Sequence, residues 1–408
     1  MLNKKPYYLS KTKHKLGQTK IEVCPLAYGK IIIKSISGSV CINGIIFKIN
    51  YNFWLVKVME TRIWRMKADN PDLNKLKEAA QLIKQGETIG FPTETVYGLG
   101  ANALDTEAVK KIFLAKGRPS DNPLIVHVYN LKQVETLVTR ITPLAQKLMN
   151  KFWPGPLTLV MPKSRIVPDI ITAGMDTVAI RMPAHPIALK LIELSELPIA
   201  APSANISGKP SPTTAEHVWQ DLKGKIAGII DGGKAGIGVE STVLDLSTKI
   251  PTILRPGGIT REQFIGEIGV VNLDTALHDL KATPRSPGMK YTHYSPEAEV
   301  ILLQGRKEEI LNKIKKIISE NGNRTLKVGL MISQEIYEAL PEDLPESVIV
   351  GVLGRRADLE GMTSNLFEKL RWFDGKKVDV IYAESFPETN LGAALMNRLM
   401  KAAGGKWI

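Results

Sequence analysis

From residue 59 onward this 408-residue chain contains no cysteine; the two it has are Cys24 and Cys41. Thiol nucleophiles, CxxC redox chemistry and cysteine-ligated metals are therefore excluded from most of its length. Its six histidines are scattered and show neither HExxH nor any other ligand spacing. No apolar run reaches membrane-spanning length, because Lys30, Lys34, Lys48 and Lys57 interrupt the most apolar region. The basic N-terminus lacks the compact apolar core and cleavage site of a secretory signal. A Walker phosphate loop is missing, and GGKAGIG at 232–238 lacks the strand-to-helix setting of a dinucleotide fingerprint. No carboxylate pair stands out for general acid–base or glycosidase chemistry. These absences fit a reducing, cytoplasmic setting.

Acidic residues are scarce in one place only. Residues 1–58 hold ten lysines, no arginine and one acid, Glu22, which is +9 of the chain's +13 and leaves +4 for the 350 residues that follow. Basicity thus marks the N-terminal stretch and argues against nucleic-acid binding by the body. That stretch is lysine-rich, then rich in Ile and Val with the alternation of a short hairpin. It reads as an appended module, a disordered arm or, preferentially, upstream sequence included by a start assigned too early, and no function is assigned to it.

Periodicity predicts what comes next. Asp69 or Asn70 is expected to cap a first helix with Leu73, Leu76, Ala80 and Ile83 on its apolar face and Gly86 as its stop. TIGFPTETVYGLGANAL reads as a strand entering a Gly- and Thr-rich loop, and Asp105 caps a helix leading to Lys116. Helix and strand then alternate through LTLVMP, VAIRMP and PIAAPSANISG to a helix near 213–222 and the strands IAGIIDGG, STVLDLS and PTILRPGG. The aperiodic, proline-rich stretch ATPRSPGMKYTHYSPE reads as a linker. Beyond it, EVILL, LKVGLMI, SVIVGVL and VDVIYAE alternate with helices, which predicts a small parallel-sheet domain. The expected organisation is an extension (1–58), a catalytic α/β domain with a mixed sheet (59–281), a linker (282–297) and a Rossmann-like parallel α/β domain (298–408). The last offers no polar cluster comparable to the first and is read as a support.

The segment KGRPSDNPLIVHV, residues 116–128, reads by itself either as a solvated turn before a core strand or as a binding loop: a rigid loop presents Lys116, Arg118 and Asn122, and a strand carries His127 out of it. Leu124, Val126 and Val128 should face one side of that strand, Ile125 and His127 the other. Two cations beside a single carboxylate, Asp121, suit a polyphosphate. Loops rich in Thr, Ser, Asn, Lys and Arg bind and position anions, which is how phosphoryl and nucleotidyl transfer are mostly catalysed.

FPTETVYGLGANA, KGRP with PLIVHV, WPGPLTLV, VAIRMP, PSANISGKPSPT, GVESTV and LRPGG, in this order, resemble the YrdC-like family, with Lys116/Arg118 and Ser203/Asn205 as its KxR…SxN signature. The linker SPGMKYTHYSP and the domain after it resemble the longer, two-domain members, the threonylcarbamoyl-AMP synthases. Residues 1–58 have no counterpart in this likeness. The resemblance implies joining of L-threonine, bicarbonate or CO₂, and ATP, with release of pyrophosphate, for threonylcarbamoyladenosine beside the tRNA anticodon. It implies Lys116 and Arg118 as catalytic; Arg118, Asn122, Thr177, Ser203, Asn205, Ser211, Arg255 and Tyr294 on ATP; and Thr95, His127, Arg181, Ala201 and Ser241 on threonine. Mg²⁺ is expected to arrive with ATP, without dedicated protein ligands. A downstream tRNA transferase complex is the expected partner, direct tRNA contact is not required, and no membrane is involved. Two rivals are weighed: an RNA-binding module, disfavoured by the +4 of the body, and a carbamoyl-adenylate enzyme, whose usual zinc-finger cysteines are missing here.

Overall fold

The computed structural model describes residues 60–277, 294–321 and 326–408, and the backbone of four short strands before residue 50. The chain divides into two compact units, Met1–Met59 and Glu60–Ile408. In the first, Val23–Leu26 pairs antiparallel with Lys30–Ile33, and Gly38–Ile42 with Ile45–Ile49. Residues 278–293, which include most of the expected linker (282–297), lie outside the described residues. Among these, no helix is long and apolar enough to cross a membrane.

The second unit begins with an eleven-stranded mixed sheet. At its centre Thr177–Arg181 runs parallel to Ile125–His127 and antiparallel to Leu157–Pro162, while Ile199–Ala200 pairs antiparallel with both Ile125–His127 and Gly98–Asn102. The alternation expected of residues 124–128 is present: Leu124, Val126 and Val128 pack into the main core, and Ile125 lies on the other face with Val160, Ala179, Val243 and Leu254. One face of the central strands is thus covered by core helices, and the other carries His127 and Arg181 beneath a set of loops.

Local chemistry explains most helix ends. Asp105 caps Thr106–Lys116 through the backbone N–H groups of Glu107 and Ala108, and Gly117 ends that helix in the left-handed region at φ 61°. The first helix, Leu73–Lys84, is capped by Asp72 rather than Asp69 or Asn70. Pro71 therefore precedes the cap, because the Asp72 side chain is the one that reaches the free N–H groups of Asn74 and Lys75. The helix expected near 213 starts at Ala215, with Thr214 as its cap.

The C-terminal domain is a four-stranded, all-parallel sheet in the order Glu299–Leu303, Val380–Glu384, Val328–Ile332, Val348–Val352. Its core does not close on itself. Val96 and Val239 of the catalytic domain, and Tyr294, join Leu366, Phe367 and Ala394 in one buried cluster. Arg371 adds a buried ion pair to Asp221 (2.8 Å) and a hydrogen bond to the Pro210 carbonyl (2.6 Å).

Where the two loops before the linker meet, Gly257 lies against the backbone of Glu240, Ser241 and Thr242 with no room for a Cβ. Gly257→Ala forces that backbone apart and is expected to cost about 2 kcal/mol or more of stability. Denaturant unfolding should show a lower midpoint at unchanged slope; a wild-type midpoint would refute the close approach.

Candidate active site

Arg181 and His127 are directly paired neighbours on parallel strands, and both are buried. The Arg181 guanidinium donates from Nη1 to Thr95 Oγ1 (2.9 Å) and from Nε to the Gly155 carbonyl (3.3 Å). Its Nη2 lies 2.7 Å from the Glu94 carboxylate without a properly aligned hydrogen bond. Thr95, fully buried, shares a hydroxyl contact with Thr93 (2.8 Å), so the PTET turn is ordered by the same groups that orient Arg181. Burial, and then the Arg181 charge, push the His127 pKa down to about 3, so the ring is neutral at physiological pH. Its Nδ1 is buried and has no hydrogen-bond partner among the described residues.

The second group joins the two halves of the KxR…SxN signature. Lys116 Nζ donates to the carbonyls of Ser203 (2.5 Å) and Asn205 (2.7 Å) and reaches Asn205 Oδ1 (3.4 Å). An ammonium has three protons, and all three are engaged. Lys116 therefore ties the KGRP loop to the PSANISG loop while itself lining the cleft. Burial first, and the nearby Arg118 second, hold its pKa well below the ordinary lysine value. Arg118 Nη2 donates to the carbonyls of Asn122 (3.1 Å) and Pro123 (3.2 Å), which folds the loop onto itself. Ser203 Oγ donates to Asn205 Oδ1 (2.6 Å), and Asn205 Nδ2 donates to the carbonyls of Ile206 and Lys209.

Arg255, at the end of its strand, donates from Nε and Nη2 to the Ser241 carbonyl (3.1 and 2.9 Å). The neighbouring Glu240 is buried, which would raise its pKa, but the charges of Arg398 and Arg255 and the Ser211 hydroxyl outweigh this and hold it near 2. Tyr294, buried at φ 66°, stacks at a tilt on Phe367 with ring centroids 5.1 Å apart. The C-terminal domain was expected to offer no polar cluster, and here the structure differs. Its helix Leu391–Ala402 buries Asn397, Arg398 and Lys401, and Arg398 pairs with Glu240. Helical spacing places these three on one face, but only the docked catalytic domain supplies their partner.

One cleft brings together eleven of the expected residues: Thr95, His127, Arg181, Ala201 and Ser241, with Lys116, Arg118, Ser203, Asn205, Arg255 and Tyr294. Three stand apart. The Asn122 side chain is buried beside its loop, and the Ser211 hydroxyl faces Glu240 rather than the cleft. Thr177 lies two residues from Ala179 along the Arg181 face and lines a separate hollow with Pro123 and Leu124. Glu94 and Glu240 were not foreseen. Each sits inside a motif, PTET or GVEST, but neither forms the carboxylate pair that would have signalled chemistry.

The depressed histidine predicts a direction for acid stability. An unfolded His127 takes up a proton below about pH 6.5 and the folded one only near 3. Stability is then complete above pH 6.5 and declines as pH falls through that window. His217, lowered to about 4 by burial and then by Arg371, acts in the same direction. The thermal midpoint should fall between pH 7.5 and 5, and His127→Gln should shrink that fall; an identical pH dependence would contradict a buried neutral His127.

A family profile described as "Telomere recombination" matches residues 81–257, and one described as "Threonylcarbamoyl-AMP synthase, C-terminal domain" matches residues 259–404. The Bacillus subtilis threonylcarbamoyl-AMP synthase is 54% identical over 82% of this chain and 94% of its own. The Pyrococcus abyssi enzyme of that name is 53% identical over 81% and 94%. A crystal structure of P. abyssi Sua5 complexed with L-threonine superposes with a TM-score of 0.79 at 50% identity, covering 85% of this chain and 98% of that one. With both of its domains matched in order, the chain belongs to the two-domain threonylcarbamoyl-AMP synthase family.

Proposed function

We propose that the cleft makes threonylcarbamoyl-AMP from L-threonine, ATP and bicarbonate or the CO₂ in equilibrium with it, releasing pyrophosphate, for the threonylcarbamoyladenosine next to the tRNA anticodon. The observation that carries this reading is the convergence of two cationic groups on one cleft: Arg181 with Thr95 and His127, and Arg118 with Arg255 and the Lys116-braced Ser203 loop. A substrate with two anionic ends suits that layout.

The chemistry balances with these parts. Threonine's amine, once deprotonated, adds to CO₂ and becomes a carbamate. A carbamate oxygen attacks the α-phosphorus, the bond to the bridging oxygen of the β-phosphate breaks, and pyrophosphate leaves. Arg181 suits the threonine carboxylate because its planar fork matches two oxygens, and Glu94 would yield that edge of the guanidinium. Neutral His127, the backbone at Ala201 and the Ser241 hydroxyl complete the amino-acid end. Arg118, Arg255, Ser203 and Tyr294 are assigned to ATP, where the arginines stabilise charge developing on the leaving group. Asn122, Thr177 and Ser211 serve from outside the cleft wall, and Asn205 shapes the loop.

The described residues do not fit a resident cation. Glu240 is the carboxylate that lines the cleft, and its oxygens are taken by Arg398 and Ser211. No group of three or more metal-type ligands occurs among them. Mg²⁺ is read as part of the ATP substrate, and no step is routed through it. Because the product is a labile mixed anhydride, a cytoplasmic transferase complex that loads it onto tRNA is the fitting partner, and the synthase need not touch tRNA.

Pyrophosphate release from ATP by the full chain should require both threonine and bicarbonate; release with neither would defeat this reading. Arg118→Ala is expected to slow release on the order of 100-fold. Lys307→Ala, on a helix of the C-terminal domain, should leave it unchanged. A near-normal rate for the first variant would remove the KGRP loop from the mechanism.

A further inference from the structure

We propose that Arg398 of the C-terminal domain is a positioning residue of the synthase site: it sets Glu240 and, through Glu240 and Pro256, the Arg255–Ser241 pair on the nucleotide side of the cleft. This rests on the synthase reading above.

Arg398 is completely buried. Its Nε donates to Glu240 Oε2 (2.8 Å), and its Nη1 donates to the Pro256 carbonyl (2.9 Å) and to Asn397 Oδ1 (2.9 Å). Glu240 precedes Ser241 and Pro256 follows Arg255. One guanidinium thus grips both loops immediately beside the contact that aims Arg255. Glu240 Oε1 accepts the Ser211 hydroxyl (2.5 Å), so the grip also extends to the end of the PSANISGKPS loop. The Arg398 guanidinium lies 5.5 Å from the centroid of the Tyr294 ring, which lines the same cleft.

Holding two domains together does not call for this arrangement. The interface already has an apolar cluster, the Arg371–Asp221 pair and a Lys234–Glu368 pair at its rim. A buried ion pair is seldom more stabilising than well-packed apolar residues. Its placement has an electrostatic consequence instead. Glu240 lines the cleft, and without Arg398 its charge would oppose a polyphosphate rather than brace the residues that receive one. Truncating Arg398 should therefore harm ATP recognition more than threonine recognition, and neutralising Glu240 as well should relieve much of the harm.

The test uses the full chain with Arg398→Met, Glu240→Gln, the double variant and, as an interface control, Arg371→Met. Two readouts are made: steady-state pyrophosphate release with ATP and threonine varied separately, and equilibrium ATP binding without threonine. For Arg398→Met, kcat/KM for ATP and ATP affinity should fall on the order of 30- to 100-fold while KM for threonine changes less than about twofold. Adding Glu240→Gln should recover about tenfold. Equal losses for ATP and threonine, a double variant no better than the single, or the same pattern from Arg371→Met would overturn the proposal. Should Arg398→Met fail to fold, Arg398→Lys keeps a charge while losing the fork, and the same ATP-selective loss is expected. ATP binding tests Arg398 even if the wild-type chain releases no pyrophosphate, an outcome that would count against the synthase reading alone.

Discussion

Two carboxylates, Glu94 half-buried and Glu240 buried, keep the cleft's cations in place. Glu94 faces Arg181, and Glu240 faces Arg398 with Arg255 close by. Several buried cations around one cavity repel one another, and each has lost its hydration; such a cluster persists only where charges are paired or hydrogen-bonded. Backbone carbonyls hold cations too: those of Ser203 and Asn205 hold Lys116, that of Ser241 holds Arg255, and those of Asn122 and Pro123 hold Arg118. Carbonyls satisfy donors without cancelling charge. The cleft stays positive, which is the property a polyphosphate requires.

The sheet determines where these loops can meet. Ile125–His127 and Thr177–Arg181 are parallel neighbours, so the residues at their C-terminal ends, His127 and Arg181, emerge side by side. Ile199–Ala200 lies on the other side of Ile125–His127 and runs antiparallel to it, so it delivers the PSANISG loop to the N-terminal end of that strand, where the KGRP loop enters. Lys116 then locks that loop to the end of its own helix. Motifs nearly ninety residues apart thereby act as one surface.

The C-terminal domain enters this arrangement as a wall. Its apolar core takes in Val96 and Val239 from the cleft-bearing loops, and its last helix supplies Asn397, Arg398 and Lys401. Burial first, and then the charges of Arg398 and Arg255, lower the Lys401 pKa to about 7. The Ser295 N–H donates to the Gly208 carbonyl (2.9 Å), so the described end of the linker is fastened to the PSANISG loop as well. A reading of this domain as a bare support understates its proximity to the chemistry.

Local features were legible in the residues alone. Periodicity and turn residues placed Thr106–Lys116 with its Asp105 cap and Gly117 stop, the two-faced strand at 124–128 and the parallel C-terminal sheet, because these depend on side-chain alternation and backbone freedom within a few residues. Ordered motifs also named most residues that line the cleft. Tertiary structure decided what each one touches. Lys116 was named for its charge, and only the fold shows that it also braces a loop far along the chain through the carbonyls of Ser203 and Asn205. Asn122, Thr177 and Ser211 were indistinguishable by residue type from cleft residues, and strand register and loop packing turned them elsewhere. Glu240 and Arg398 gave no signal of being partners. Their pairing exists only where two domains exclude water between them, and a sequence separation of 158 leaves no periodicity to record it.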